Sequence, residues 1–265
     1  MKLSDAQIAE IEAEGYLFLP EVFTPAEVAV LSAEVPGIFA QEREEVWRER
    51  DGKAVRTAFA AQTYNAAFAR LGRHPRLVEP VEQILGGPVY MHQFKINGKE
   101  AFDGDVWQWH QDYGTWSRDD LMPAARAMNI ALFLDEVTAF NGALMYIPRS
   151  HKHGVIEAGH DLLTTSYPLW TLDRATVTRL AEEGGIVAPT GPPGSMILFH
   201  ANLVHASPGN ISPWRRTIVY LSLCHVDNHI RRFKRPEWIA HRDFAPIQCL
   251  PDDCLLELAG KAAAE

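Results

Sequence analysis

Apolar residues recur at helical spacing through roughly the first third of the chain and give way to short strand-like runs beyond it. Ser4 followed by Gln7 has the form of a capping box, Ile8 and Ile11 share one face, and Gly15 is placed to end that helix. Tyr16 to Pro20, Y-L-F-L-P, reads as a short buried strand. Thr24, Pro25 and Glu27 open a second helix, expected to reach about Glu45 with a break or kink at Pro36-Gly37. Asn65 to Leu71 and Pro75 to Leu85 are two further helices, the second closed by Gly86 and Gly87. Between them and the second helix, Trp47 to Thr63 is charged and weakly periodic, so Arg48, Arg50, Lys53 and Arg56 read as a solvated surface or edge loop.

Strand formers dominate from Val89 to Asn97, and a polar loop, Gly98 to Gly104, follows. Asp105 to Trp116, D-V-W-Q-W-H-Q-D-Y-G-T-W, reads as an aromatic strand running into a loop. Ala127 to Val137 is apolar enough to be packed on both faces, Asn141-Gly142 signals a hairpin turn, and Ala143 to Pro148 answers as its second strand. Ser195 to Phe199 and Thr217 to Val226 are the last clear strands. The segment from Arg149 to Pro189, with a helix at Arg174 to Glu183, has the character of a lid over a site. From Asp227 onward the tail lacks periodicity and is expected to wrap the outside, with Arg231, Arg232, Lys234 and Arg235 as a solvated face. Helices followed by many strands, without a linker, predict one domain: an antiparallel sandwich or barrel with helices packed outside. Its parts are a helical support (1–87), a β core (88–226) carrying the 149–189 insertion, and a C-terminal wrap (227–265).

Composition narrows the functional classes. The 265 residues are 47% hydrophobic and 22% charged, enough for one substantial core. A formal charge of -9 argues against a phosphate-tracking surface, so nucleic acid is not an expected partner. The N-terminus lacks the apolar core of a signal peptide, and no stretch reaches membrane-spanning length. Cys224, Cys249 and Cys254 show no C-x-x-C spacing and cannot all pair with one another, which fits a reducing cytoplasm. A homodimer is left open.

The candidate chemistry begins with His110 and Asp112. Side chains two apart on a strand point the same way, so an imidazole and a carboxylate there could grip one metal ion. Either His200 or His205 could complete the set. His205 is favoured, because Arg215 and Arg216 follow it by ten and eleven positions and a guanidinium fork beside a metal can hold the far end of a dicarboxylate. Imidazole and carboxylate with open positions suit non-haem iron(II).

W-H-Q-D, then N-G-A-L-M-Y-I-P-R-S-H, then L-V-H-A-S-P-G-N and R-R-T, resemble the phytanoyl-CoA dioxygenase family of iron(II)- and 2-oxoglutarate-dependent oxygenases over roughly residues 10 to 245. W-H-Q-D-Y-G-T-W, N-I-S-P and R-P-E-W-I-A-H-R-D-F-A-P look most like its ectoine hydroxylase branch, although Gly114 stands where that branch usually carries an acid. The resemblance implies a double-stranded β-helix core with Fe(2+) held by His110, Asp112 and His205. It implies 2-oxoglutarate anchored by Arg216, with Arg215 as runner-up, and contacts from Asn97 to cosubstrate and from Gln93, Tyr113 and Trp116 to substrate. O2 would be the second cosubstrate and succinate and CO2 the by-products of hydroxylating an unactivated C–H. Halogenating relatives carry a small residue in place of the carboxylate ligand, so Asp112 points to hydroxylation.

Blander readings stand beside these. His92, His151, His153 and His160 are read as surface or hydrogen-bonded residues, and about half of the neighbouring aromatics Trp107, Trp109 and Trp214 as core. An exposed ring among them could hold a cationic or zwitterionic substrate. Three functions follow: hydroxylation of a small amino acid or amino-acid-derived solute such as ectoine; the same chemistry on a lipid, acyl or natural-product substrate; or a metal-binding β-sandwich without turnover.

Overall fold

The computed structural model describes residues 1–258. Helix α1 (Asp5–Glu14) starts on the reciprocal Ser4–Gln7 capping box and ends on Gly15 in the left-handed region, at φ 86°. A side chain there would also strike His151, because a Cβ on Gly15 would lie 2.4 Å from its Nδ1. After strand β1 (Tyr16–Leu19), helix α2 (Pro25–Phe39) begins on the Thr24–Glu27 capping box. It runs through Pro36 but stops one turn later at Phe39, short of the expected Glu45, with Ala40 N–H capping it on Pro36 O. Strands β2 (Val46–Arg48) and β3 (Val55–Phe59) follow, then α3 (Ala66–Leu71) and α4 (Pro75–Leu85).

The remaining strands are β4 (Val89–Lys99), β5 (Trp107–His110), β6 (Ala127–Phe133), β7 (Met145–Tyr146), β8 (Gly159–Asp161), β9 (Leu169–Thr171), β10 (Met196–His200), β11 (His205–Ser207) and β12 (Arg216–His225). Helix α5 (Asp112–Asp119) lies between β5 and β6, and α6 (Arg174–Gly184) between β9 and β10. An antiparallel seven-stranded sheet has the order β1-β10-β6-β12-β4-β3-β2, and a three-stranded sheet has the order β5-β11-β7. Alternation along the large sheet builds two cores. Phe94, Ile96, Met128, Ile130, Leu132, Val219 and Leu221 pack against the helices, whereas Ala131, Phe133, Ile197, Phe199, Ile218 and Tyr220 cluster with Tyr146 of the small sheet and with Leu144, just before its strand β7. The result is a double-stranded β-helix core with helices outside. No helix among the described residues is long and apolar enough to cross a membrane.

Several expectations are corrected. Asn141-Gly142 does make a turn, with Asn141 Oδ1 accepting from Thr138 N and Gly142 at φ 84°, but it is not a hairpin. β7 pairs with β11, while β6 pairs with β10 and β12, so the turn carries the chain from one sheet to the other. β4 extends through Gly98 and Lys99, which the sequence reading gave to a loop. Arg56 is not solvated: it is buried, bonded to Glu49, and stacked 3.9 Å over Trp107. Arg235 is not solvated either, since Asp120, fully buried, holds it through Nε at 2.9 Å and through its Nη2.

Candidate active site

His205 and His110 are direct partners across the β11–β5 pair, which brings their ring centroids to 4.1 Å. Each ring is oriented by its own strand: His110 Nδ1 lies 2.6 Å from Gln108 O, and His205 Nδ1 lies 2.9 Å from Leu203 O. With Nδ1–H donating to those carbonyls, both Nε2 atoms keep a lone pair. Asp112 lies on neither strand. It is the first residue of α5, with Gln111 as N-cap, and its two oxygens lie 3.8 Å from His110 Nε2 and 3.6 Å from His205 Nε2. The three groups lie within 4.8 Å of one another and are buried. His200, the other candidate, faces His151 at 5.3 Å and accepts from Asn202 N.

The charge states suit a cation. Burial, then the neighbouring His205, push His110 down to about 3, and burial also lowers His205, so both rings are neutral near pH 7. Burial pushes the Asp112 carboxyl up, but Lys95, the two histidines and Asn129 together bring it below its ordinary value. Two neutral imidazoles and one carboxylate on one side of a small space leave room for further ligands, as iron(II) in oxygenases requires. Asn129 Nδ2 donates to Asp112 Oδ2 at 2.9 Å, and Asn129 Oδ1 accepts from Ser222 Oγ at 2.6 Å, which fixes the amide. Asn129→Ala is expected to weaken metal binding about 10- to 100-fold in an anaerobic titration with cobalt(II), without unfolding the protein.

A narrow cleft behind the triad is lined by Lys95, Asn97, Leu144, Ala206 and Tyr220. Asn97 Oδ1 in this cleft, and the Tyr146 hydroxyl and Arg216 Nε and Nη1 close to Tyr220 behind it, are buried without a hydrogen-bond partner. Arg216 starts the inward-facing row Arg216, Ile218, Tyr220, Ser222 on β12, whereas Arg215 turns outward, 57% exposed, toward Asp135. A dicarboxylate fits the donors among them, the Tyr146 hydroxyl and the Arg216 N–H groups: one end would satisfy the buried Arg216 fork and the other would reach the metal side.

In front of the triad lies a cavity of about 390 Å³. Gln93 and Trp116 line it, as do His160, Tyr167, Pro168, Leu169 and Trp170 from the 149–189 segment and Trp238 and Ile239 from the tail. The tail is therefore more than an outer wrap. Tyr113 does not line this cavity: its hydroxyl donates to Met122 O and its ring packs with Tyr90 and Trp116. Of the other aromatics, Trp107 lines the cavity, Trp109 packs on Ile147 and Val204, and Trp214 is exposed. His92, buried and edge-on to Trp116 at 4.7 Å, belongs to no metal cluster among the described residues. Lys95 and Asp119 were overlooked. Lys95 is signalled by alternation, since it lies between Gln93 and Asn97 on one face of β4, and Asp119 becomes visible only once α5 is known to be a helix.

The sequence model of a family described as Phytanoyl-CoA dioxygenase (PhyH) matches residues 11–218. The chain is 36% identical over 244 residues to L-proline trans-4-hydroxylase of Streptomyces griseoviridis, covering 88% of this chain and 91% of that one. It is 36% identical over 259 residues to ectoine dioxygenase of Bordetella parapertussis, covering 91% and 83% respectively. The crystal structure of EctD from S. alaskensis with 2-oxoglutarate and 5-hydroxyectoine superposes with a TM-score of 0.84 at 33% identity, over 94% of this chain and 87% of that one.

Proposed function

The chain belongs to the phytanoyl-CoA dioxygenase family and is an iron(II)- and 2-oxoglutarate-dependent dioxygenase, and from that premise we propose that it hydroxylates a small amino acid or amino-acid-derived solute. In this reading His110, Asp112 and His205 hold the iron, Arg216 and Asn97 receive 2-oxoglutarate, and Gln93 and Trp116 contact the substrate. Iron(II) with both cosubstrates bound supplies the oxidant that replaces an unactivated C–H by C–OH while 2-oxoglutarate becomes succinate and CO2. The polypeptide orients and encloses. His110 and His205 offer Nε2 because their Nδ1 protons are tied to backbone carbonyls, and Asn129 keeps the Asp112 carboxylate turned toward them.

The observation that carries the substrate class is the cavity itself. Its volume of about 390 Å³ suits a compact solute, and its largely aromatic wall is interrupted by the charged Lys95, Asp119 and Arg235. The 149–189 segment acts as its lid in this reading. Its strap is pinned from the N-terminal side, with Trp47 Nε1 donating to Ser166 O at 3.1 Å, Arg50 to Thr165 O at 3.1 Å and Ser166 Oγ to Glu49 at 3.0 Å. Relatives named for proline and for ectoine support a small, charged substrate.

The test is succinate release by protein reconstituted with iron(II), 2-oxoglutarate and O2, screened across free amino acids, ectoine, N-acyl amino acids and an acyl-CoA. Stimulation of at least about tenfold by a free amino acid or cyclic solute is expected, with none by the acyl-CoA. Selective stimulation by the acyl-CoA would overturn the substrate class.

A further inference from the structure

Helix α5 turns one stripe toward the cavity. Asp112, Thr115, Trp116 and Asp119 follow the i, i+3, i+4, i+7 spacing and all line it. Asp119 is therefore two turns, about 10 Å along the axis, from the carboxylate beside the two histidines. Its oxygens accept from Trp170 Nε1 at 3.2 Å each and, among the described residues, make no salt bridge. Trp170 is held from other directions as well, stacked on His160 at 4.6 Å and 11° with the Arg118 guanidinium 5.3 Å from its ring. A carboxylate thus stands in an aromatic wall with an indole N–H, and no salt-bridge partner among the described residues.

The opposite charge lies deeper. Lys95 lines both the cavity and the cleft, its Nζ 5.5 Å from the Tyr220 ring, and its surroundings are burial and the charges of Asp112 and Arg235 rather than a hydrogen-bond partner. Arg235, the other cation of the wall, is already neutralised by Asp120. Lys95 thus sits beside Asp112 at the triad end of the cavity, and Asp119 stands two helical turns away from that pair. A neutral or singly anionic molecule would leave Asp119 facing it unpaired. A cationic nitrogen placed there would meet a carboxylate and the face of an indole together.

We infer that Asp119 recognises the substrate's ammonium group, so that the substrate is a small zwitterion whose cationic nitrogen sits at the Asp119–Trp170 end while its target carbon faces His110 and Asp112. This rests on the hydroxylase reading above and adds to it a specificity residue and a direction of binding. Asp119 acts by contact with substrate only, not on 2-oxoglutarate or metal.

The experiment compares wild type, Asp119→Asn and Trp170→Phe with L-proline, L-leucine and ectoine as free zwitterions and with N-acetyl-L-proline and N-acetyl-L-leucine. Substrate-stimulated succinate release gives kcat and KM, quenching of tryptophan fluorescence under nitrogen gives Kd, and 2-oxoglutarate turnover without substrate reports the cosubstrate side. Asparagine keeps an oxygen for Trp170 Nε1 and removes only the charge. Asp119→Asn is expected to raise KM and Kd of the preferred zwitterion about 10- to 100-fold, leave the KM for 2-oxoglutarate within about twofold, and narrow the preference over the N-acetyl compound. Trp170→Phe, which keeps the charge, should lose much less. A zwitterion that stimulates wild type and Asp119→Asn with the same KM overturns the inference alone, as does an N-acetyl compound accepted as well as its free amine. Absence of binding and of stimulation by every zwitterion overturns the inference together with the hydroxylase reading it rests on.

Discussion

Alanine at Asp112 or at His205 is expected to abolish iron-dependent 2-oxoglutarate turnover, with metal affinity falling by more than about a hundredfold, beyond the loss that a residue merely supporting a ligand produces. The reason is the small number of donors. Asp112 is the single anion of the triad, and Lys95 lies close enough to act on its charge. Without that carboxylate, two neutral imidazoles would face a dication with a buried ammonium group nearby. His205→Ala instead removes one of two rings positioned as a cross-strand pair, so His110 and Asp112, from a strand and the next helix, remain as two donors. Two donors make a weak site. An anaerobic cobalt(II) titration followed by its absorption, alongside succinate release, checks both variants. The far-UV circular dichroism should stay unchanged, since neither side chain belongs to the apolar clusters that support the sheets. Full succinate release by Asp112→Ala would remove the triad from the chemistry.

The sequence made the triad legible because its spacing survives uncertainty about secondary structure. His110 and Asp112 were read as strand neighbours, and they converge although Asp112 begins a helix. That helix is hard to foresee: D-Y-G-T-W-S-R-D contains Gly114 and few strong helix formers, and in its cavity-facing stripe of Asp112, Thr115, Trp116 and Asp119 only the tryptophan is apolar. The major strands were legible from apolar runs, but their partners were not. Asn141-Gly142 signals a turn equally well whether the chain returns beside β6 or crosses to the other sheet, and the choice depends on β10 and β12, which come later in the chain. Arg56 and Arg235 were misplaced for a related reason. Arg56 is neutralised by Glu49 across a bend, and Arg235 by Asp120 more than a hundred positions away, pairings that local charge density does not reveal. Lys95 was within reach of sequence reasoning, because alternation that places Gln93 and Asn97 at a site places the residue between them there too.

Arg216→Ala is expected to raise the KM and Kd for 2-oxoglutarate at least about thirtyfold, the low end of what truncating one partner of a buried charge pair costs. Arg216 is 1% exposed, its Nε and Nη1 have no protein partner, and burial pulls its pKa down, with Tyr220 partly opposing that. Guanidinium nonetheless keeps its proton, so the folded protein holds a buried cation that makes no salt bridge among the described residues. Two further results separate a binding role from a structural one. In metal-free protein, 2-oxoglutarate should raise the Tm of the wild type and leave that of Arg216→Ala unchanged, whatever the variant's own Tm. Arg216→Lys keeps the charge but not the fork, and should fall between the two. Arg215→Ala, removing an exposed side chain 3.5 Å from Asp135, should leave the KM for 2-oxoglutarate within about twofold. An unchanged KM in Arg216→Ala would move the distal carboxylate to another cation, and Lys95, which lines both the cleft and the cavity, would be the one to replace next.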